Sequence, residues 1–413
     1  MLPFALVVSR LTLRRLGLTA LAAATLALSA CGGGDRATNY RPSAMMVFGD
    51  EHSALTTYDV GAGPLQLTGA TWAIDGVLVS ESRVCAQGVD CAEPSNALPG
   101  TVTFTAPETP AWTYAALGVT GAPRSFVLTQ LGTAGAAGGG VAQGATVQQR
   151  LVLTYSCTSN NWVQRVAAAF SLGFRAVTGC ETDGTGAQNF AAAGKKVDDV
   201  IGDLQAQRPN LNKGVLVTVM VGQHDILEQY ALVMATPELN RSAALGSAKA
   251  VLAQRGQRLA SAVKAVTERD AKVILVKTPN LGKSPFAAAE PAGAATILAE
   301  LSDALNNALY INPEISRLGR SIAGVDTDRI VNLTSSSSGY TNGQAACDDA
   351  LLFDATTNTL VTDIDAQPRY CHTLTLKAGV NPVRYVWATS RHLGTGAHEF
   401  IGSLAFNRAS DQF

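Results

Sequence analysis

The sequence predicts an α/β protein: a parallel sheet covered on both faces by helices and interrupted by a β-rich insertion. Three observations carry this. Helix and strand signals alternate from residue 160 onward, the order that produces parallel sheets. The runs at residues 215–221 (VLVTVMV) and 272–277 (KVILVK) are near-continuously apolar, as strands buried on both faces are. Residues 56–153, in contrast, are rich in Gly, Ala, Thr and Pro and contain short alternating runs such as TVTFT at 101–105 and SFVLT at 125–129, which read as strands joined by turns.

In chain order, the first segment is a targeting signal. Arg10, Arg14 and Arg15 precede the apolar stretch 16–30, too short for a comfortable membrane span. It ends Leu28-Ser29-Ala30-Cys31, which resembles a bacterial lipobox. Small residues there admit a signal peptidase and the Cys31 thiol accepts lipid, so residues 1–30 are expected to be removed and Cys31 to be the lipidation site and membrane anchor. Gly32 follows rather than Asp, which favours the outer membrane, with the periplasmic or surface face left open. Residues 31–43, beginning with a glycine run, form a flexible tether. The domain proper spans 44–413.

Residues 44–48 (AMMVF) give the first strand, running into the turn Gly49-Asp50. After the insertion, with its flexible tract at 133–142, Asn161 is placed to cap a helix presenting Trp162, Val163, Val166 and Phe170 on one face. Further strands are expected at 174–177, 215–221, 272–277, 329–333 and 383–387, and helices at 197–204, 243–269, 294–309 and 394–406. There is no internal repeat.

With 31 basic and 32 acidic side chains among 413 residues, and isolated rather than clustered Lys and Arg, nucleic acid is not expected as a partner. At 47% hydrophobic residues, neither a disordered polyelectrolyte nor a coiled coil fits. Apart from Cys31, the cysteines are Cys85, Cys91, Cys157, Cys180, Cys347 and Cys371. They allow many pairings, but their grouping suggests three local disulfides, Cys85 with Cys91, Cys157 with Cys180 and Cys347 with Cys371, in an oxidising compartment.

In open α/β sheets the ligand site lies at the carboxyl ends of the strands. Polar clusters follow three predicted strands: Gly49-Asp50-Glu51-His52-Ser53, Gly222-Gln223-His224-Asp225, and Thr389-Ser390-Arg391-His392. With Asn189-Phe190-Ala191-Ala192-Ala193-Gly194, Trp162-Val163 and Thr278-Pro279-Asn280-Leu281-Gly282, these blocks resemble, in order, those of the SGNH or GDSL-type lipases and esterases. The resemblance implies a three-layer α/β/α, flavodoxin-like fold, an ester hydrolase ancestry acting on acyl or carbohydrate esters, and site positions at Glu51, Gly194, His224 and His392.

Two of those positions, and a third close to His392, depart from the family. Glu51 stands where its nucleophilic Ser would be, His224 where its oxyanion Asn would be, and Thr389 where the Asp orienting the catalytic His would be. Serine-type acyl transfer needs all three functions, and an anion at residue 51 would repel a developing oxyanion. The expected protein is therefore a pseudo-enzyme with absent or weak esterase activity and a binding or structural role at the envelope. No cofactor or metal is assigned. Two alternatives remain open: water activated by Glu51 or Asp50 with His224 as donor, and a metal held by Glu51, His224 and His392. Ser53 and His52 are expected to point away from the pocket, His372 to lie on the surface, and His398 to pack on the closing helix.

Overall fold

The computed structural model describes residues 40–55, 73–106, 112–116, 125–156, 161–174, 186–331, 339–354, 359–362, 364 and 367–413. The signal segment, Cys31, Cys157 and Cys180 lie outside the described residues, as does the expected strand at 174–177 beyond Phe174.

A six-stranded, all-parallel sheet is ordered β11-β10-β9-β1-β8-β7. Its strands are β1 (Ala44–Gly49), β7 (Gly173–Phe174), β8 (Gly186–Asn189), β9 (Val215–Met220), β10 (Lys272–Val276) and β11 (Ile322–Val325). Side chains alternate across it. Met46 and Phe48 of β1, Val217 and Val219 of β9 and Val273 and Leu275 of β10 enter one core. Met45, Val47, Leu216, Met220, Ile274 and Val276 enter the other. Both faces being apolar, both must be covered. Helices α2 (Val197–Ala206), α3 (Gln223–Ala235), α4 (Glu238–Thr267) and α6 (Ala294–Tyr310) cover the first; α1 (Trp162–Ala169) and α7 (Thr395–Gln412) cover the second, with α5 (Pro285–Ala289) a short turn between β10 and α6. The result is the expected three-layer α/β/α architecture. Among the described residues no helix is long and apolar enough to cross a membrane.

Helix α1 follows from its sequence. The Asn161 side chain accepts from Gln164 N–H at 3.2 Å while Gln164 accepts from Asn161 N–H at 2.9 Å, a reciprocal capping box. Trp162, Val163 and Val166 are then buried on one face. Ahead of β1, Tyr40 packs edge-on against Phe170 and Phe413.

The insertion is an antiparallel sheet of β2 (Gly76–Ala86), β3 (Phe104–Thr105), β4 (Trp112–Ala116), β5 (Ser125–Ala134) and β6 (Thr146–Ser156), in the order β2-β6-β5-β3 with β4 also on β5. It is not self-contained: its core of Trp112, Phe126, Leu128 and Leu153 is closed by Tyr370 and Leu374 from far along the chain.

That C-terminal excursion was not legible as structure. Residues 341–387 contain β12 (Thr341–Ala345) and β15 (Tyr385–Trp387), paired in parallel with each other, and β13 (Phe353–Asp354) paired with β14 (Thr359–Leu360). The last strand thus stands outside the main sheet. The expected strand at 329–333 is also corrected. The strand is β11, seven residues earlier at its start, and Asp328–Val331 is a helical turn. Disulfides join Cys85 to Cys91 and Cys347 to Cys371. His372 is not on the surface: it is buried beside Trp112 and Phe126, so the imidazole is part of the seam between insertion and C-terminal excursion.

Candidate functional site

Strand β1 sits where the strand order reverses, flanked by β8 and β9, and the polar clusters following these three strands meet at their carboxyl ends. Gly49 makes the turn possible, since a Cβ there would lie 2.3 Å from the Met220 carbonyl oxygen. Asp50 N–H then bonds to that same oxygen at 3.1 Å. The chain after β8 stays beside β1, with Phe190 N–H on Val47 O at 2.8 Å and Ala192 N–H on Gly49 O at 3.2 Å, which delivers Gly194 to Glu51. Gly222 caps α3 at φ +141°, with Leu305 and Thr278 too close for any side chain. It presents Gln223 and His224 from the first turn of α3.

These elements converge on one carboxylate. Glu51 is 1% exposed. Its Oε2 accepts from His224 Nε2–H at 2.8 Å and from Gly194 N–H at 3.3 Å; its Oε1 accepts from Gln223 Nε2–H and lies 2.9 Å from His224 Nε2. His392 Nε2 faces Oε1 at 3.7 Å, beyond a hydrogen bond. On its other side His392 Nδ1 is 3.0 Å from Thr389 Oγ1, so its partner there is a neutral hydroxyl rather than a carboxylate. All four expected site positions, Glu51, Gly194, His224 and His392, are therefore gathered together.

Burial alone would raise the Glu51 carboxyl, but the hydrogen bond and charge of His224 prevail and hold it well below the usual carboxylate range. Burial likewise opposes charge on His224, yet the Glu51 bond raises that imidazole above its ordinary value. The two form a partly buried ion pair. His392 goes the other way: burial pushes it well below its ordinary value and the Glu51 charge only partly offsets this, so it is neutral near pH 7.

His52 corrects an expectation. It is fully buried rather than outward, with Nδ1 3.3 Å from Asp50 Oδ1 and its ring centroid 6.1 Å from that of His392. Burial opposes its charge, but the bond to Asp50 raises it. The other Asp50 oxygen faces Gln223 N–H at 3.5 Å, at the amino end of α3 where a carboxylate is favoured. Ser53 is buried too, its Oγ without a partner among the described residues, so neither an imidazole nor a carboxylate activates it. His398 packs inside as expected: its Nδ1 accepts from Trp162 N–H at 3.3 Å, and burial pushes it down to about 3.

Gln223 and Asp225 were not assigned roles from sequence, nor was the pairing of Asp50 with His52. Asp225 Oδ2 accepts from Val197 N–H at 2.9 Å and Oδ1 from Arg255 at 2.8 Å, tying α3 to the start of α2 directly after Gly194. Only the adjacency of Gln223 to His224 hinted at such a partner, and nothing local marks Arg255. Among the described residues no group of three or more His, Cys, Asp and Glu side chains is arranged to hold a metal ion.

No protein-family model matches the chain, and no curated protein matches it. Among solved structures it is similar to an extracellular lipase from Streptomyces rimosus, with 15% identity, a TM-score of 0.34, and coverage of 62% of this chain and 91% of that one. It is similar to a phospholipase A1 from Streptomyces albidoflavus at 17% identity and TM-score 0.30, covering 54% and 80% of the two chains. It is also similar to the protein YXIM from Bacillus subtilis at 11% identity and TM-score 0.30, covering 82% and 90%.

Proposed function

We propose that this protein is a lipoprotein of the bacterial cell envelope, anchored in the outer membrane through Cys31, whose SGNH-like domain is a non-hydrolytic relative of the ester hydrolases with a binding or structural role. The observation that carries the reading is the placement of the Glu51 carboxylate. On this reading Gly194 N–H and His224 Nε2–H correspond to a hydrolase's oxyanion donors, and both already donate to Glu51. A carbonyl entering the site would meet donors in use and a full negative charge, the opposite of electrostatic preorganisation. Glu51 is no substitute nucleophile, because a carboxylate attacks esters weakly, and its depressed pKa makes it a poor general base. Neutral, buried His392 faces the Glu51 carboxylate with its Nε2 and the Thr389 hydroxyl with its Nδ1, and residue 51 offers it no serine hydroxyl.

The lipobox-like Leu28-Ser29-Ala30-Cys31 supports anchoring, and the disulfides Cys85–Cys91 and Cys347–Cys371 suit an oxidising compartment. The test is Glu51→Ser beside wild type, assayed on short-chain nitrophenyl esters, with metal content measured on the wild-type sample. Removing the carboxylate frees Gly194 and His224 as donors and places a hydroxyl near His392. The reading predicts inert, metal-free wild type and measurable turnover by E51S; stoichiometric metal in the wild type overturns it.

A further inference from the structure

A concavity lies on the flank of the domain between α2 and α4. Helix α2, from Asp198 in its first turn, and the segment leading to β9 face the last three turns of α4, and the end of the groove carrying Arg208, Leu211 and Arg269 lies near the amino ends of β9 and β10. The cavity between them has a volume of about 520 Å³, within the roughly 300–1,000 Å³ typical of small-molecule sites. Its floor is apolar: Ile201, Leu204, Leu211, Ala262 and Val266 line it, and Leu204, Leu211 and Val266 are buried parts of the main core, so it has a fixed rather than a collapsible base.

Its rim is basic. Arg208, Arg258 and Arg269 all line the cavity, against a single acid, Asp198. Asp198 is already taken by Arg258, whose Nη2 bonds to both of its oxygens at 2.7 and 2.9 Å. Arg269 bonds through Nε to Leu211 O at 2.9 Å, which fixes its stem along the cavity edge. The Arg208 side chain makes no ion pair or hydrogen bond to any described residue and is exposed at the rim. Two guanidiniums are thus uncompensated by acid beside an apolar floor. Guanidiniums recognise carboxylates and phosphates through paired N–H donors, while an apolar floor gains from covering hydrocarbon.

We infer that this groove binds a single-chain anionic amphiphile, with the hydrocarbon along Leu204, Leu211 and Val266 and the anionic head at Arg208 and Arg269. Charge complementarity selects the occupant: a neutral chain would leave the arginines unused and a cationic one would be repelled. The site needs none of the groups around Glu51.

The test is calorimetric titration of the purified full chain with dodecanoate below its micellar concentration, alongside dodecyltrimethylammonium and phosphatidylglycerol vesicles. Saturable one-to-one binding of dodecanoate is expected, weakened roughly fivefold or more by Arg208→Glu and abolished by Ala262→Trp, which fills the groove. Absence of saturable binding, equal affinity for the cationic amphiphile, or full affinity in both variants overturns the inference. Arg208-dependent vesicle binding without dodecanoate binding also overturns it, since the surface would then contact a bilayer rather than hold one chain. Should Ala262→Trp fail to fold, the exposed Arg208→Glu substitution still decides.

Discussion

His224 Nε2 lies 2.8 Å from one oxygen of Glu51 and 2.9 Å from the other, so one imidazole on the first turn of α3 spans both oxygens of the carboxylate. The pair closes the site from within, because Glu51 is buried and the His224 side chain, 16% exposed, covers it. Breaking such a pair on one side leaves a buried charge without its partner, which costs about 3–5 kcal/mol. His224→Ala is expected to destabilise by an amount toward the lower end of that range, since Gly194 and Gln223 still donate to Glu51. The double variant E51A/H224A should lose less than the sum of the single losses, measured by urea unfolding.

The same pair sets an alkaline dependence. The His224 imidazole is raised by Glu51, so its contribution is fully present below the unfolded histidine value of about 6.5 and is lost as pH rises through the higher folded value. The Glu51 carboxyl is depressed, so its contribution is present above the unfolded carboxylate range and is lost as pH falls through the folded value. Melting temperature measured upward from pH 6 should decline in wild type and be flatter in Glu51→Gln.

His372 contributes, with His392 and His398, to an acid dependence. Burial between the insertion and the C-terminal excursion pushes it down to about 4. A base whose folded pKa is lowered contributes no instability above its unfolded value of about 6.5, and stability falls as pH drops from there toward 4, where the unfolded chain binds the proton first. His372→Asn should reduce the steepness of that loss, read as unfolding free energy between pH 7 and 4. An unchanged slope would place the acid sensitivity with other groups.

Asn161 joins two elements at once. Besides capping α1, its Nδ2 donates to Ala54 O at 3.1 Å, holding the turn that follows Glu51. Asn161→Ala is expected to cost about 1–2 kcal/mol, whereas Asn161→Asp, which keeps the cap but cannot donate to Ala54, should recover part of it. Chemical denaturation of the two variants separates the contributions.

Much of this was legible because the signals are local. The apolar runs of β9 and β10 and the Asn161–Gln164 box specify their elements without outside help. Strand β8 (GAQN) was not visible, since a four-residue strand with one buried residue carries no apolar run and forms because β1 offers it a ladder. Ile330 and Val331 looked like strand but are a helical turn; β11, containing Gly324, lacks the hydrophobic density that usually marks a buried strand. At the site, the positions of Glu51, Gly194, His224 and His392 could be placed from the order of blocks. The Gln223 bond to Glu51 and the inward turn of His52 toward Asp50 depend on tertiary placement, and so does the burial of His372 by residues from the insertion.

On the proposed function, the Glu51 carboxylate occupies donors, Gly194 N–H and His224 Nε2–H, that a hydrolase would aim at its substrate. The most direct measurement is the steady-state rate on short-chain nitrophenyl esters for wild type beside Glu51→Ala at equal concentration. Wild type is expected to be no faster than E51A. Turnover by wild type well above the E51A control would show that Glu51 takes part in catalysis and would contradict the proposed function.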